Sequence, residues 1–498
     1  MDRRTFLRQS AAVAAGTIGV SAGPFAGLLA RSALAAPKLA TENGGYGPLG
    51  PVPDLRDGVV RLLLPDGFQY RSFGLRDTPL TEEGSTLTPG RHDGMAVFGW
   101  RGGKVRLVRN HEQTAPTTPG HGAFGDVSKA YDAQGPGGTT TLEISPHADE
   151  VSSWVSLNGT VFNCAGGATG WGTWLTCEET PNGPDSNKSF LVPPGGAPDL
   201  FYDEQHGFLF EVPVDRGPGD LAEGVPIRKA GRFAHEAAAV DPATDIVYQT
   251  EDDFAYASGF FRYIPPNDPS RDKRIEDGGR LEVLGVIPDG GDSPVTMDLH
   301  RDQTPGTTYR VGWIEIEDPD PTFPTGITND DAARVVFQEG ESKGAARFSR
   351  LEGISEFGRK QFFVSTEGGG PFDSDPPPNS SAGFGDGYGQ VWMYDPVKET
   401  LTLVFESPGP DVLDFPDNIT ISPRRKSVML CEDSTGSNML RALTRDGEVF
   451  DFALNALSGG TDEFAGATFG PGGQVLYTNM QSNGITYAIW GPWERGLL

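Results

Sequence analysis

The sequence predicts an all-β protein, one β-propeller of about six blades with long loop insertions. Three observations lead there. The 498 residues include 68 Gly and 41 Pro with 10% aromatics, a mixture that suits short strands joined by turns better than helices. β-rich runs recur in pairs around a short turn that carries Pro. No long amphipathic helical pattern interrupts them. Repeated hairpins of this kind with Gly-rich connections point to a propeller. A β-sandwich competes, but more than 400 residues would need two or three of them.

Residues 1–35 read as an address. Met1-Asp2-Arg3-Arg4-Thr5-Phe6-Leu7-Arg8 is followed by an apolar Ala/Gly-rich stretch over 11–30 and by Ser32-Ala33-Leu34-Ala35-Ala36. A charged region, an apolar region and an A-x-A site in that order make an export signal. The Arg3-Arg4 pair ahead of Thr5-Phe6-Leu7 resembles the twin-arginine type, so the Tat export machinery is the expected partner. A short membrane anchor is the alternative. No later stretch approaches the roughly 20 apolar residues that span a bilayer. The expectation is a soluble, exported monomer in the periplasm or outside the cell.

Residues 36–498 read as the propeller domain. Ala239-Val240-Asp241-Pro242 leads into Ile246-Val247-Tyr248, and Val391-Trp392-Met393-Tyr394-Asp395-Pro396 into Leu401-Thr402-Leu403-Val404. Ile419-Thr420-Ile421-Ser422-Pro423 leads into Val428-Met429-Leu430, and Ala467-Thr468-Phe469-Gly470-Pro471 into Val475-Leu476-Tyr477. Leu142-Glu143-Ile144-Ser145-Pro146 ends the same way. Their uneven spacing requires insertions in some blades. The Pro/Gly/Asp-rich stretches 114–122, 181–198, 288–294, 318–325 and 368–388 are the expected loops over one face. Phe372-Asp373-Ser374-Asp375 reads as a solvated loop, with a Ca²⁺ loop as the alternative.

Charge and motifs exclude several functions. A formal net charge of −28 leaves no basic excess for nucleic-acid binding. Gly340-Glu341-Ser342-Lys343-Gly344 has the form of a nucleophile elbow and follows a β-rich run, but that motif needs its His later in the chain. All 7 His precede Ser342. Gly166-Gly167-Ala168-Thr169-Gly170 lacks the Lys of a phosphate loop. Three Cys (Cys164, Cys177 and Cys431) leave at least one free thiol. In an exported chain that thiol calls for burial or a metal.

Acidic residues gather where apolar runs end: Asn110-His111-Glu112, Thr176-Cys177-Glu178-Glu179, Phe233-Ala234-His235-Glu236, Thr250-Glu251-Asp252-Asp253, Arg350-Leu351-Glu352, Pro416-Asp417-Asn418 and Cys431-Glu432-Asp433. A propeller strand ends at the central channel. Carboxylates crowded there repel, lose solvation and stay ionised only beside cations. Clustered carboxylate oxygens suit hard cations such as Ca²⁺.

The stretch Cys164-Ala165-Gly166-Gly167-Ala168-Thr169-Gly170-Trp171-Gly172-Thr173-Trp174-Leu175-Thr176-Cys177-Glu178-Glu179 resembles the PhoX-type alkaline phosphatases, although Gly170 stands where that pattern often has Pro. Asn110-His111-Glu112 before it, and Gly231-Arg232-Phe233-x-His235-Glu236, Thr250-Glu251-Asp252, Arg350-x-Glu352 and Pro416-Asp417-Asn418 after it, support the resemblance and stand in family order. The resemblance implies a propeller enzyme with an iron and calcium cluster that hydrolyses phosphomonoesters. It implies Cys164 as thiolate ligand to Fe³⁺, Glu236 and Glu352 as ligands on the same cluster, and Glu179 facing Ca²⁺. Glu112, Asp417 and Glu432 are the neighbouring metal positions, and Arg350 contacts the substrate phosphate. A thiolate suits a transition metal, and multivalent cations would reverse the local sign that an acidic chain presents to a phosphate ester. Two other readings stand beside this one: a Ca²⁺-dependent propeller esterase or lactonase, and a non-catalytic propeller that binds a partner or sugar.

Overall fold

The structure, a computed structural model, describes residues 38–39, 43–113, 122–186, 202–324, 326–369, 385 and 387–498. The expected leader (1–35), residues 114–121, residues 187–198 and the Asp373/Asp375 loop lie outside the described residues.

Six antiparallel blades surround one axis. Blade 1 is His92–Gly99, Val105–His111, Gly137–Ile144 and Val151–Thr160, from axis to rim. Blade 2 is Asn163–Ala168, Thr173–Glu178, Leu209–Pro213 and Pro226–Ile227. Blade 3 is His235–Val240, Val247–Glu251, Phe260–Ile264 and Arg280–Ile287, and blade 4 is Leu351–Phe357, Lys360–Ser365, Gln390–Asp395 and Thr400–Glu406. Blade 5 is Pro416–Ile421, Val428–Glu432, Met439–Leu443 and Glu448–Asn455. Blade 6 takes Phe464–Phe469, Val475–Met480 and Ile485–Trp490 from the end of the chain and Gln69–Phe73 from its beginning. The six inner strands neighbour one another in chain order, and the sixth returns to the first.

Two additions depart from a plain wheel. Strand Thr308–Glu315 pairs with the outer strands of blades 3 and 4 and joins them into one sheet. Blade 5 is widened by Val60–Pro65 and Leu49–Pro53. The four Pro-marked turns expected from the sequence are hairpins.

Apolar faces pack between blades. Phe260, Phe348, Phe363 and Trp392 fill the space between blades 3 and 4, and Tyr70, Phe452, Phe464 and Tyr487 fill part of that between 5 and 6. Each sheet is therefore covered on both faces, and its strands read as near-continuous apolar runs.

The expectation that no long helix occurs is corrected by Asn329–Ser342, 14 residues of α-helix. Thr328 caps it, its hydroxyl accepting from the Asp331 amide. Ala332, Ala333, Val336, Phe337 and Gly340 are buried at helical spacing, and Val336 and Phe337 pack with Phe261 and Val283 of blade 3. The β-branched run before Gly340 looks like a strand by propensity, and tertiary packing overrides it. Ser342 ends this helix, exposed, so no strand-to-helix elbow presents it.

Blade 2 is anchored by a buried charge triad. Glu178 accepts from His206 Nδ1 at 2.6 Å and from the amides of Val161, Gly207 and Phe208. His206 Nε2 lies 3.4 Å from Asp132 Oδ2. Burial opposes charge on the imidazole, but the carboxylates of Glu178 and Asp132 outweigh it and carry its pKa to about 9 from 6.5. A pKa raised on folding stabilises fully below the unfolded value and ceases to do so above the folded one. The shift corresponds to at most about 3 kcal/mol. His206→Gln is therefore expected to lower stability most at pH 6, with the gap to wild type narrowing as pH rises from about 6.5 and closed above about 9. Chemical denaturation of both proteins across that range checks it, and a gap that stays constant with pH excludes a charged His206.

Candidate metal centre

One repeated backbone device builds the site. In blade 1 His92 pairs with His111 and Met95 with Arg109, so Asp93 and Gly94 stand opposite Asn110 alone. The same two-against-one bulge sets Cys164-Ala165 against Cys177, Glu236-Ala237 against Thr250, Glu352-Gly353 against Val364, and Asp417-Asn418 against Cys431. A bulge re-aims a side chain, and here it sends one donor per blade toward the axis. Blade 6 breaks register after Ala465 and contributes no donor at that position. The residue after the donor is small in blades 1 to 4 (Gly94, Ala165, Ala237 and Gly353), where neighbouring backbones converge, and in blade 5 it is Asn418, whose Oδ1 accepts from the Gly466 amide. A Cβ on Gly94 would stand 2.4 Å from Ala165 Cα, and one on Gly466, whose φ is +59°, would stand 2.5 Å from Asp93 O.

A second ring follows the second strands. The amides of Glu112, Glu179, Asp252, Thr366, Asp433 and Gln481 each donate to one carbonyl, in order that of Arg91, Phe162, Ala234, Arg350, Phe415 and Glu463. Six equivalent hydrogen bonds thus place four more carboxylates above the first ring. The acceptors form the rim. Arg91, Phe162, Arg350 and Phe415 there have φ of 45°, 53°, 41° and 50°, a left-handed conformation that costs a non-glycine residue of order 1 kcal/mol.

The rings line a cavity of about 320 Å³ that includes Arg91, Asp93, Glu112, Cys164, Glu179, Glu236, Arg350, Glu352, Asp417 and Asp433. Three groups of donor atoms lie within 4.8 Å of one another: Cys164, Glu179 and Glu236; Glu179, Asp252 and Glu352; and Glu236, Glu352 and Asp417. Two ionised carboxylates at that separation repel by about 3 kcal/mol at an effective dielectric near 20. Burial pushes Asp93, Glu179, Glu236, Glu352 and Asp417 well above the carboxylate range, and their neighbours' charges add to it. Burial likewise pushes the Cys164 thiol up, with Glu236, Glu179 and Asp93 adding. Cys164 Sγ sits 3.3 Å from the carbonyls of His235 and Glu236.

Buried Asp93 Oδ1 and Glu236 Oε1 have no hydrogen-bond partner among the described residues. Orphaned carboxylate oxygens beside a thiol are what a cation site presents, so the residues fit a mixed set of hard and thiophilic ions. Asn110 braces this corner: its Nδ2 donates to the carbonyls of Cys164 and Ala165, and its Oδ1 accepts from Trp174 and Thr176.

Arg350 stands in the midst of the acids. It donates to Asp252 and Glu352, its Nη1 lies 3.7 Å from Glu367, and Phe254 stacks on it at 4.1 Å. Of the expected metal residues, Cys164, Glu236, Glu352, Glu179, Glu112 and Asp417 line the cavity, and Glu432 does not. Side chains alternate along a strand, so the inward position belongs to Asp433. Glu432 turns outward to Arg441 and the amides of Asp414 and Met439.

Sequence reasoning did not assign Asp93, Asp252, Asp433 or Glu463. Alternation from Glu432 and Glu251 pointed to Asp433 and Asp252, and Asp93-Gly94 shares the acid-then-small pattern of Glu352-Gly353. His111 and His235 take the outward positions. His111 contacts Gly90 O and Thr140 through its two ring nitrogens, and His235 contacts Gly231 O through Nε2, while its buried Nδ1 has no partner among the described residues. Trp174 is core, whereas half-buried Trp171 reaches Glu211. Cys177 and Cys431 are buried among apolar side chains.

A search of curated protein sequences found no match. Among solved structures, PhoX of Pseudomonas fluorescens in complex with vanadate, a transition state analogue, aligns with a TM-score of 0.61 at 17% identity, over 92% of this chain and 99% of that one. XC5397, a gluconolactonase of Xanthomonas campestris, aligns at 0.34 and 13% identity over 90% of this chain and 98% of its own. The first likeness shows a shared fold. The family model of alkaline phosphatase PhoX matches residues 44–152 and 145–484. That span runs from before the closing strand of blade 6 past Gln481, the last residue of the second ring, and so takes in every donor described above: the chain belongs to the PhoX alkaline phosphatase family.

Proposed function

We propose that the chain is an exported phosphomonoesterase whose axial side chains hold iron and calcium. The observation that carries this reading is the pair of stacked rings, in which Asp93, Glu236, Glu352, Asp417, Glu112, Glu179, Asp252 and Asp433 gather with one thiol. Cys164, Glu236 and Glu179 would hold the thiophilic ion, and the remaining carboxylates the calcium ions. Calcium alone would leave the thiol without a matching ion, which separates this reading from a Ca²⁺-only lactonase. When bound, such cations neutralise a phosphate ester and polarise its attacking and leaving oxygens.

The chain's own groups supply the rest. Arg350 offers a phosphoryl oxygen a charge-assisted donor, its Nε and Nη2 being held by Asp252 and Glu352. Its Nη1, the least tightly held nitrogen, is the donor free to turn to the ester, while Phe254 fixes the plane of the guanidinium. The cavity is narrow and its carboxylates are buried, which strengthens each electrostatic contact within it. Export before cofactor loading would expose an empty acidic axis, so the Arg3-Arg4 leader, which resembles one for folded cargo, is consistent with loading inside the cell.

Four outcomes are expected. The purified protein carries iron and calcium by elemental analysis and hydrolyses p-nitrophenyl phosphate, and chelation removes both metal and turnover. Cys164→Ala loses iron and at least about a hundredfold in kcat, while a variant that retains both removes the thiolate assignment. Arg350→Ala keeps its metal and loses about 2–4 kcal/mol of transition-state stabilisation in kcat/KM; metal loss with unchanged kcat/KM per bound metal reassigns Arg350 to structure. Arg3→Lys with Arg4→Lys is expected to retain the protein in the cytoplasm with its leader uncleaved, as fractionation and blotting would read, and unimpeded export rejects the Tat route.

A further inference from the structure

Blades 1 and 4 stand opposite one another in a ring of six, and they are the two blades whose rim residue is an arginine. Arg91 and Arg350 each precede a first-ring carboxylate by two residues, share left-handed backbone (φ 45° and 41°) and line the same cavity. Their surroundings differ. Arg350 is committed to Asp252 and Glu352 through Nε and Nη2, with Nη1 3.7 Å from Glu367. Arg91 uses Nη1 alone, 3.2 Å from Glu112 Oε2 and 3.2 Å from Gln481 Oε1. Its Nε and Nη2 have no hydrogen-bond partner among the described residues, and its side chain is 38% exposed. The contact with Glu112 explains where the arm lies and leaves two donors at the cavity mouth unused.

We propose that Arg91 is a specificity-determining residue that binds a second phosphoryl group on the leaving part of the substrate, so that the site favours bisphosphorylated small molecules over simple monoesters. The inference rests on the phosphatase reading, with Arg350 on the transferred group, and extends it to the opposite side of the axis. No bond is made or broken at Arg91. A monoester leaves its two free donors to water, whereas a second phosphate takes them as charge-assisted hydrogen bonds. The equivalent place on the adjacent blade 6 holds Glu463, so a second anion meets attraction on the Arg91 side and repulsion next to it. The position of the second phosphate is thereby defined.

The test compares fructose 6-phosphate with fructose 1,6-bisphosphate on metal-loaded wild type, Arg91→Gln and Arg91→Lys. Arg91→Gln is expected to raise KM for the bisphosphate about tenfold more than for the monophosphate, the size of one charge-assisted contact, with kcat for the two substrates moving in parallel. Arg91→Lys should restore part of the preference. An equal change on both substrates, or none on either, overturns the proposal and leaves Arg91 as support for Glu112. Calorimetric binding of the same two compounds repeats the comparison without turnover. Tighter binding of the bisphosphate that depends on Arg91, in a wild type that releases no phosphate, would sink the phosphatase reading alone. Equal melting temperatures of the loaded proteins exclude a folding defect.

Discussion

Repulsion among like charges at the axis is the constraint under which the rest of this molecule is arranged. The bulges that open each inner strand aim carboxylates at a common line, where desolvation and mutual repulsion both oppose ionisation. A fold tolerates that only if the scaffold is far stiffer than the strain placed on it, or if cations complete it. The covered sheets and the aromatic packing between blades supply the first. The orphaned oxygens of Asp93 and Glu236 and the soft donor between them argue for the second. Small residues behind the donors let the blades approach closely enough that donors from different blades share one ion.

Much of this is legible in the sequence, and the limits have physical causes. Glycine, proline and paired β-rich runs encode hairpins locally, so the architecture could be read from them. Acidic residues at strand ends marked the axis, and Cys164, Glu179, Glu236, Glu352, Glu112 and Asp417 fall in the cavity. The choice between Glu432 and Asp433 depends on which face of the strand is inward. Pairing partners decide that, and they are distant in the chain. Asp93 holds the same second position of its inner strand as Glu236, Glu352 and Asp417, but it follows Pro89-Gly90-Arg91-His92 with no apolar residue in the two places before it, so a search of run ends passes over it. The helix over Asn329–Ser342 was hidden because three β-branched or aromatic residues in a row carry strand propensity that only packing on blade 3 overrules.

Buried charge is handled in two ways within one blade. Glu178 and Glu179 are adjacent, but alternation sends them to opposite faces. Glu178 meets a cationic imidazole and three amides, so protein groups satisfy it. Glu179 meets the carboxylates of Asp252, Glu236 and Glu352. The first arrangement rigidifies the strand end from which the second projects, and the demand for an external cation is thereby confined to the axial face.

The last blade borrows its outermost strand from the start of the chain, where Phe73 pairs with Thr486. The wheel therefore cannot shut until nearly the whole polypeptide has been synthesised, and its donors, drawn from nearly every blade, cannot all meet before it shuts. Ribosome-bound fragments would hold subsets of the donors, such as Cys164, Glu179 and Glu236 of blades 2 and 3, without the carboxylates that later blades bring. Completion of the centre then becomes a late event in biogenesis, tied to the same step that closes the ring.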